Sequence, residues 1–454
     1  MAKSGKTTSG ATAGYVGMRP SASEWTRPGK RRAVIIGGVR TPFVRAIGEF
    51  LELDSIALAV AATRGLLERT GIDRREIDSV VWGGVILPTF APNIAREVAL
   101  DIGLPETAEG MTCTRACASG LQAVTLAAAA IERGEADVII AGGSDSTSNA
   151  PLALPQKLVH ALAPFAFGKV KKPQEALAVL AQLMPLSDLI PKKPEIAERT
   201  TGEVMGQSAE RMAKHWGVTR EDQDRFALRS HQRAAAAIQS GRFSPEVTPV
   251  EVNGQRVERD TIVRGDTSME RLARLAPAFA ENGTVTAGNA STLTDGAAAV
   301  LIMEESKARA LGLVPLAAFR SWSYVSIDPA DQLLIGPAIA MPRACARAGV
   351  SLRDVDLVDI HEAFAAQVLC VLRAMDSDQF AKERIGVDKA VGAPDPAKLN
   401  IHGGSVSLGH PFGATGARMV TTMANELHQS GKELAVLGIC AAGGIGAAAV
   451  LERV

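Results

Sequence analysis

The sequence predicts an α/β fold built twice, with a mostly helical segment inserted into the first copy. Three observations predict it. One order of strand-like and helix-like runs occurs at two distant places, each occurrence alternates apolar runs with small-residue helical ones, and the stretch between them repeats neither. At 454 residues with 46% hydrophobic side chains, the chain is long enough for two or three domains and can fill their cores.

The duplication is read from two pairs of segments. "GIDRREIDSVVWG" from Gly71 aligns with "GVSLRDVDLVDIH" from Gly349, each running glycine, short helical piece, aspartate (Asp78 or Asp356), strand. "ASGLQAVTLAAAAIERG" from Ala118 aligns with "ATGARMVTTMANELHQSG" from Ala414, and each leads into an apolar strand, "ADVIIAGG" or "ELAVLGICAAGG". The second copy is longer by the polar, turn-rich "MDSDQFAKERIGVDKAVGAPDPAK". Alternating strands and helices argue for mixed sheets covered by helices, and two such halves can pack about a pseudo-twofold axis. On this reading residues 31–150 with 281–310 form the first half and 311–454 the second.

Residues 151–280 have no counterpart in the second half and form the expected insertion. It opens with a basic, amphipathic stretch in which residues 155–194 hold six lysines against Glu175 and Asp188. Such a stretch packs on its own domain or offers a surface to a membrane or partner helix. Two helices follow, the second starting after Thr219 with Asp222 three residues on, a capping-box pattern. Residues 1–30 are rich in basic and hydroxyl side chains, a bias shared with transit peptides. Their glycines and prolines argue against an amphipathic helix and for a disordered tail.

Charge and cysteine content exclude several classes. Forty-nine basic and 49 acidic side chains give a formal charge of zero, so no overall field favours nucleic acid. Five scattered cysteines in a chain without a secretory apolar run point to free thiols in a reducing compartment. Cys113 and Cys117 lack a second pair at ligand spacing, so no metal site is expected. Charges or prolines interrupt every run that might span a bilayer.

The repeat isolates a candidate site. In the first half the turn before the helix carries Cys117, and the matching turn of the second half, "GHPFGATGAR", carries His410. A helix N-terminus exposes N–H groups and partial positive charge, which is expected to lower the Cys117 pKa and suit it as a nucleophile. The competing reading is a small buried hydrophobe, against which stands the following Ala-Ser-Gly that lets a substrate approach the backbone. "DIHEAFAAQ" adds His361 and Glu362 past a strand. "GICAAGGIGAAAV" adds Cys440 at a strand end before a glycine turn whose N–H groups point outward. A thiol, two imidazoles and a second thiol suit acyl transfer.

"CASGLQAV", "AGGSDSTSNAP", "TVTAGNASTLTDGAAAVL", "HEAFA", "GGSVSLGHPFGATGAR" and "CAAGGIG" together resemble the thiolase family, over nearly the whole chain from Arg40 onward. The resemblance implies two α/β halves stacked as five αβαβα layers with a loop domain inserted in the first. It also implies cleavage of 3-ketoacyl-CoA by a second CoA, or the reverse Claisen condensation, with CoA as a substrate and no permanently bound cofactor. By motif, Cys117 takes the acyl group as a thioester, His410 deprotonates it, and Cys440 exchanges a proton with the acetyl-CoA carbanion. The thioester oxygen sits on the backbone N–H groups of Cys117 and Ala442, and Ser291 belongs to the CoA site.

Departures from the commonest thiolase pattern narrow the resemblance. His361 stands for the usual asparagine, "CAAGG" for "CxGGG", and Thr292 for a glycine, a combination similar to the thiolase subunit of fatty-acid oxidation trifunctional enzymes. That group implies a role in β-oxidation, a homodimer or tetramer, a hydratase/dehydrogenase partner subunit and peripheral membrane contact. It also implies a bacterial cytoplasmic or a mitochondrial matrix location. Ser144, where the family usually has methionine, bears on acyl-chain preference. The alternatives are an acetoacetyl-CoA-forming biosynthetic thiolase, a ketoacyl-synthase-like condensing enzyme, which would not need Cys440 as a base, and a non-catalytic lipid-carrier or scaffold subunit.

Overall fold

Apolar runs bracketed by glycine and aspartate become the strands of the computed structural model, which describes residues 31–151, 154–181, 183–185 and 197–454. The expected disordered tail, and Lys192 and Lys193 of the basic stretch, lie outside the described residues. The first half contributes β1 (Ala33–Arg40), β2 (Val44–Arg45), α1 (Ser55–Thr70), β3 (Ser79–Gly83), α2 (Ile94–Asp101), β4 (Glu109–Cys113), α3 (Ser119–Arg133) and β5 (Val138–Asp145). The chain then leaves the sheet through α4 (Gln156–Ala166), α5 (Pro173–Ala181), α6 (Met205–His215), α7 (Arg220–Gln239), the hairpin β6 (Val250–Val252) and β7 (Gln255–Val257), and α8 (Met269–Ala273). It returns as β8 (Thr294–Glu304) and α9 (Glu305–Ala310). The second half is β9 (Ala317–Ser326), α10 (Pro337–Ala348), β10 (Leu357–Ile360), α11 (Ala365–Met375), α12 (Asp378–Phe380), α13 (Ser405–Leu408), α14 (Phe412–Ser430), β11 (Leu434–Ala441) and β12 (Ile445–Arg453).

The duplication read from the sequence is present down to single hydrogen bonds. β3 pairs parallel with β5 as β10 does with β11, and β5–β8–β1 run antiparallel as β11–β12–β9 do. Asp78 accepts the N–H groups of Asp137 (2.7 Å) and Val138 (2.9 Å), and Asp356 accepts those of Glu433 (2.9 Å) and Leu434 (3.1 Å). Each aspartate thus starts the equivalent strand of its half. Gly71 and Gly349 both end helices in the left-handed region, at φ 63° and 70°, where a β-carbon would strain the backbone.

The two expected sheets share an edge. β1 and β9 join through Val34–Ala318 and Ile35–Ala317, making one path β10-β11-β12-β9-β1-β8-β5-β3-β4. That junction pairs backbone groups that two separate sheets would leave bare. α1 and α2 cover the outside of the first half, α10 and α11 that of the second, while α3 and α14 are buried between the two. The duplicated five-layer α/β arrangement expected from the sequence is therefore present.

α3 and α14 cross in backbone contact because glycine occupies the crossing. A β-carbon on Gly120 would lie 2.3 Å from the Gly413 carbonyl oxygen, one on Gly416 2.2 Å from the Leu121 nitrogen, and one on Gly143 2.0 Å from Gly413 O. Asp145, fully buried at the end of β5, accepts the Gly413 N–H (2.5 Å) as well as those of Val85 (3.0 Å) and Ile86 (2.6 Å), tying the start of α14 to the first half. Burial nevertheless holds its carboxyl up at about 6, against these three N–H groups.

The connection from β5 to β8 is where the halves differ. In the second half the equivalent link is only Ala442-Gly443-Gly444, with both glycines at positive φ (82° and 67°). Thr219 and Asp222 form the capping box the sequence predicts for α7, Thr219 Oγ1 accepting from Asp222 N at 3.1 Å. No helix among the described residues is long and apolar enough to cross a membrane. Because backbone meets backbone at the crossing, Gly416→Ala should destabilise the protein by about 3 kcal/mol or more. Thermal and urea unfolding measure it, and a loss below about 1 kcal/mol would mean the crossing yields cheaply.

Candidate active site

The N-termini of α3 and α14 converge, and each delivers one reactive side chain. Cys117 occupies the turn before α3, following Ala116, whose φ of 45° is left-handed although it carries a β-carbon. Ser119 locks that turn: its hydroxyl donates to Ala116 O (2.6 Å) and accepts from Arg115 N (2.7 Å). Cys117 is half-buried as a residue, and the N–H groups of Ala442 and of Cys117 itself lie near enough to its sulfur to favour the thiolate. The glycine turn of the second half therefore meets the thiol turn of the first.

Two imidazoles face this thiol. One ligand atom each from Cys117, His361 and His410 lies within 4.8 Å of the other two, and the ring centroids of His361 and His410 are 4.2 Å apart. Both rings are buried, and among the described residues the Nε2 of each has no hydrogen-bond partner. His410 is held through its backbone N–H to Thr294 Oγ1 (3.0 Å) and through Nδ1 to Thr415 Oγ1 (2.7 Å). Thr415 donates its hydroxyl proton to Pro411 O (3.3 Å), so it must accept from Nδ1–H. That leaves a lone pair on Nε2, the tautomer of a base. His361 Nδ1 meets Ser405 Oγ (3.0 Å); with that hydroxyl donating, His361 Nε2 carries hydrogen and serves as a donor.

Desolvation sets the protonation states. It pushes His410 down to about 3, with the Arg418 charge adding to the effect, and pushes His361 well below the ordinary imidazole value, assisted by His410 and Arg418. Both rings are neutral at physiological pH. The expected thiolate at Cys117 is overturned: burial pushes the thiol up to about 12, and the Asp145 charge works the same way against the two N–H groups. The partial charge of a helix N-terminus is too small to offset removal from water. Cys117 rests as a thiol that needs a base to act.

Cys440, at the end of β11, is buried, and desolvation followed by the Cys117 charge holds its thiol well above the ordinary value. The second thiol therefore lies within electrostatic reach of the first. Ser291 lies beside the His361 loop, its N–H donating to Ala363 O (3.0 Å). Ser144 has its hydroxyl engaged, donating to Ser55 O (2.7 Å) and accepting from the Trp82 indole (2.9 Å) in the first half.

Several supporting residues were not singled out in the sequence. Asp145, Thr415, Ser405 and Glu198 each hold a reactive turn or ring through one or two hydrogen bonds. Thr415 follows His410 within the glycine-rich motif, and its position was the only signal available. Glu362, which the sequence does flag beside His361, is buried and accepts from Ser230 Oγ (2.7 Å), Val406 N (3.1 Å) and Asn400 Nδ2 (2.8 Å). It ties α7 of the insertion to the loops that carry both histidines.

With this geometry in view, comparison with known proteins is decisive. Residues 33–306 match the family model "Thiolase, N-terminal domain" and residues 313–453 match "Thiolase, C-terminal domain". The chain belongs to the thiolase family. It is 44% identical over 430 residues to the 3-ketoacyl-CoA thiolases of Yersinia pestis (strain Pestoides F) and Yersinia pseudotuberculosis serotype O:1b, covering 94% of this chain and 98% of theirs. Among solved structures, this thiolase is similar to the Bacillus anthracis acetyl-CoA acetyltransferase (TM-score 0.78, 34% identity, 94% of this chain and 100% of that one). It is also similar to human mitochondrial 3-ketoacyl-CoA thiolase in complex with CoA (TM-score 0.76, 30% identity, 93% and 98%).

A neutral thiol with a pKa near 12 has a simple signature in this thiolase. Alkylation of Cys117 by iodoacetamide should rise roughly tenfold per pH unit between about pH 7 and pH 9.5, because only the thiolate reacts. A plateau near the ordinary cysteine value of about 8.5 would show that the helix N-terminus prevails over burial after all.

Proposed function

We propose that the chain is a 3-ketoacyl-CoA thiolase that cleaves its substrate with CoA to acetyl-CoA and a shortened acyl-CoA, in fatty-acid β-oxidation. The carrying observation is the pair of neutral imidazoles whose Nε2 atoms have no partner among the described residues, clustered with the Cys117 thiol within 4.8 Å. The names of the 3-ketoacyl-CoA thiolases it is similar to support the substrate class.

His410 Nε2 takes the Cys117 proton as the sulfur attacks the 3-keto carbon. The bond between C2 and C3 breaks, leaving the acyl group on Cys117 and the electron pair on acetyl-CoA as an enolate. His410, now carrying its Nε2 proton, and His361 donate to the enolate oxygen, a geometry that favours charge where it develops. Cys440 gives its proton to the C2 carbon and completes acetyl-CoA. Incoming CoA surrenders its thiol proton to the Cys440 thiolate and attacks the thioester. The N–H groups of Cys117 and Ala442 hold the oxyanion until Cys117 leaves and regains its proton. CoA is a substrate throughout, with Ser291 at its site. Desolvation raises the cost of free charge in this pocket, which favours passing one proton between close neighbours.

Two substitutions separate the steps. Cys440→Ala should still form the Cys117 acyl-enzyme, detected by mass spectrometry, while losing solvent-deuterium exchange into the acetyl-CoA methyl group. Cys117→Ser should lose thiolysis by at least about a thousandfold, since a serine hydroxyl is a far weaker acid than a thiol. Exchange surviving in Cys440→Ala would reassign the carbon acid, and turnover surviving in Cys117→Ser would remove the thioester from the mechanism.

The protein is further proposed to act as a homodimer or tetramer with a hydratase/dehydrogenase subunit, and to meet an anionic lipid surface through α4 and α5. There Phe167 is 77% and Leu177 71% exposed, close in sequence to Lys169, Lys171 and Lys172. Replacing these three lysines by glutamine should weaken binding to anionic vesicles at low salt, and added salt should weaken binding of the unmodified protein. Salt-independent vesicle binding, or lost binding only to the partner subunit, would reject the lipid surface.

A further inference from the structure

Glu198 lies in the insertion, far in sequence from every motif of the site, and the proposed mechanism makes no use of it. It is only 7% exposed, and its carboxylate is fully engaged. Oε1 accepts from Thr200 Oγ1 (3.0 Å) and from Thr200 N (3.4 Å). Oε2 accepts from Gly443 N at 2.8 Å. The segment that presents it is itself closed, with Ala197 bridged to Val204, Glu198 N donating to Glu203 O (2.8 Å) and Gly202 N to Glu198 O (2.8 Å).

Gly443 is the middle of the turn Ala442-Gly443-Gly444, and the Ala442 N–H lies near enough to the Cys117 sulfur to favour its thiolate. The far side of the turn is fixed by Ile327, whose N–H donates to Gly444 O (2.8 Å) and whose carbonyl oxygen would lie 2.3 Å from a β-carbon on Gly444. Two left-handed glycines in succession are conformationally permissive, and such a turn keeps its N–H groups aimed only if something holds it. Ile327 holds one end and Glu198 the middle, while the reactive N–H belongs to the residue directly before.

We propose that Glu198 is a positioning residue that aims the Ala442 N–H into the oxyanion site, so that the inserted segment completes the catalytic geometry from outside both halves. This deepens the thiolase reading and rests on it. A merely structural acid would lower stability when removed and leave turnover per folded molecule unchanged. A positioning acid lowers turnover and alters the bond it polarises.

The experiment compares Glu198→Ala and Glu198→Gln with the unmodified protein, using enzyme concentrations set by thiol titration of folded protein. Glu198→Ala should lower kcat about 10- to 100-fold with KM changed by less than about threefold, below the 10²–10³ cost of deleting an oxyanion donor outright. Glu198→Gln keeps an acceptor for Gly443 N–H and can donate to the Thr200 hydroxyl, so it should retain kcat within about fivefold. In the Glu198→Ala acyl-enzyme, trapped before CoA is added, the thioester carbonyl stretch should move to higher wavenumber in difference infrared spectra. Unchanged kcat and carbonyl frequency in Glu198→Ala would overturn the proposal, as would equal losses in the alanine and glutamine variants. If Glu198→Ala does not fold, Glu198→Met keeps the volume without the acceptor and makes the same comparison. Absence of an acyl-enzyme in the unmodified protein would instead reject the thiolase reading, so the two failures are distinguishable.

Discussion

The approach of α3 to α14 at Gly120, Gly413 and Gly416 is the constraint on which the rest of this protein depends. Two helix N-termini cannot come this close if either carries a β-carbon at the crossing, and both reactive turns sit at those N-termini. Cys117 and His410 are separated by most of the chain, yet each is one turn from the crossing. Asp145 adds a direct tie between the halves by taking the Gly413 N–H. Fold and site are therefore one object: the packing that buries the central layer is the packing that brings thiol and imidazole together.

Burial then decides the chemistry. Removal from water holds both histidines neutral and both reactive thiols protonated, overriding the local dipoles that act in the opposite direction. Cys117, His361, His410 and Cys440 are thus all uncharged at rest, and under the proposed mechanism charge arises among them only during the reaction and is neutralised by short proton transfers. The ring partners follow from the same logic. A hydroxyl on Nδ1 costs little to bury and orients each imidazole, whereas a carboxylate there would need its own desolvation offset.

The insertion is more than a cover. Ser230 of α7 holds Glu362 beside His361, and Glu198 reaches the glycine turn beside Cys440. Both contacts link a segment that has no counterpart in the second half to a motif that lies in the second half. The asymmetry between the β5–β8 and β11–β12 connections thus has a physical use. A short turn gives the second half an exposed row of N–H groups, and the long excursion of the first half returns to hold that row in place.

The sequence by itself determined the duplication and the order of the elements and pointed to the candidate site side chains, because these are local: apolar period, glycine at helix ends, and Asp78 and Asp356 at equivalent places. It also carried the motifs around Cys117, His361, His410 and Cys440 as contiguous strings. It could not give the protonation states, since a helix N-terminus is visible in a string of residues while loss of water around Cys117 is not. Nor could it give the partners of the reactive groups: Asp145 meets Gly413, Ser405 meets His361 and Glu198 meets Gly443 only after the chain has closed on itself. The tertiary structure decided those, for the physical reason that desolvation and long-range hydrogen bonds exist only between surfaces that folding has brought together.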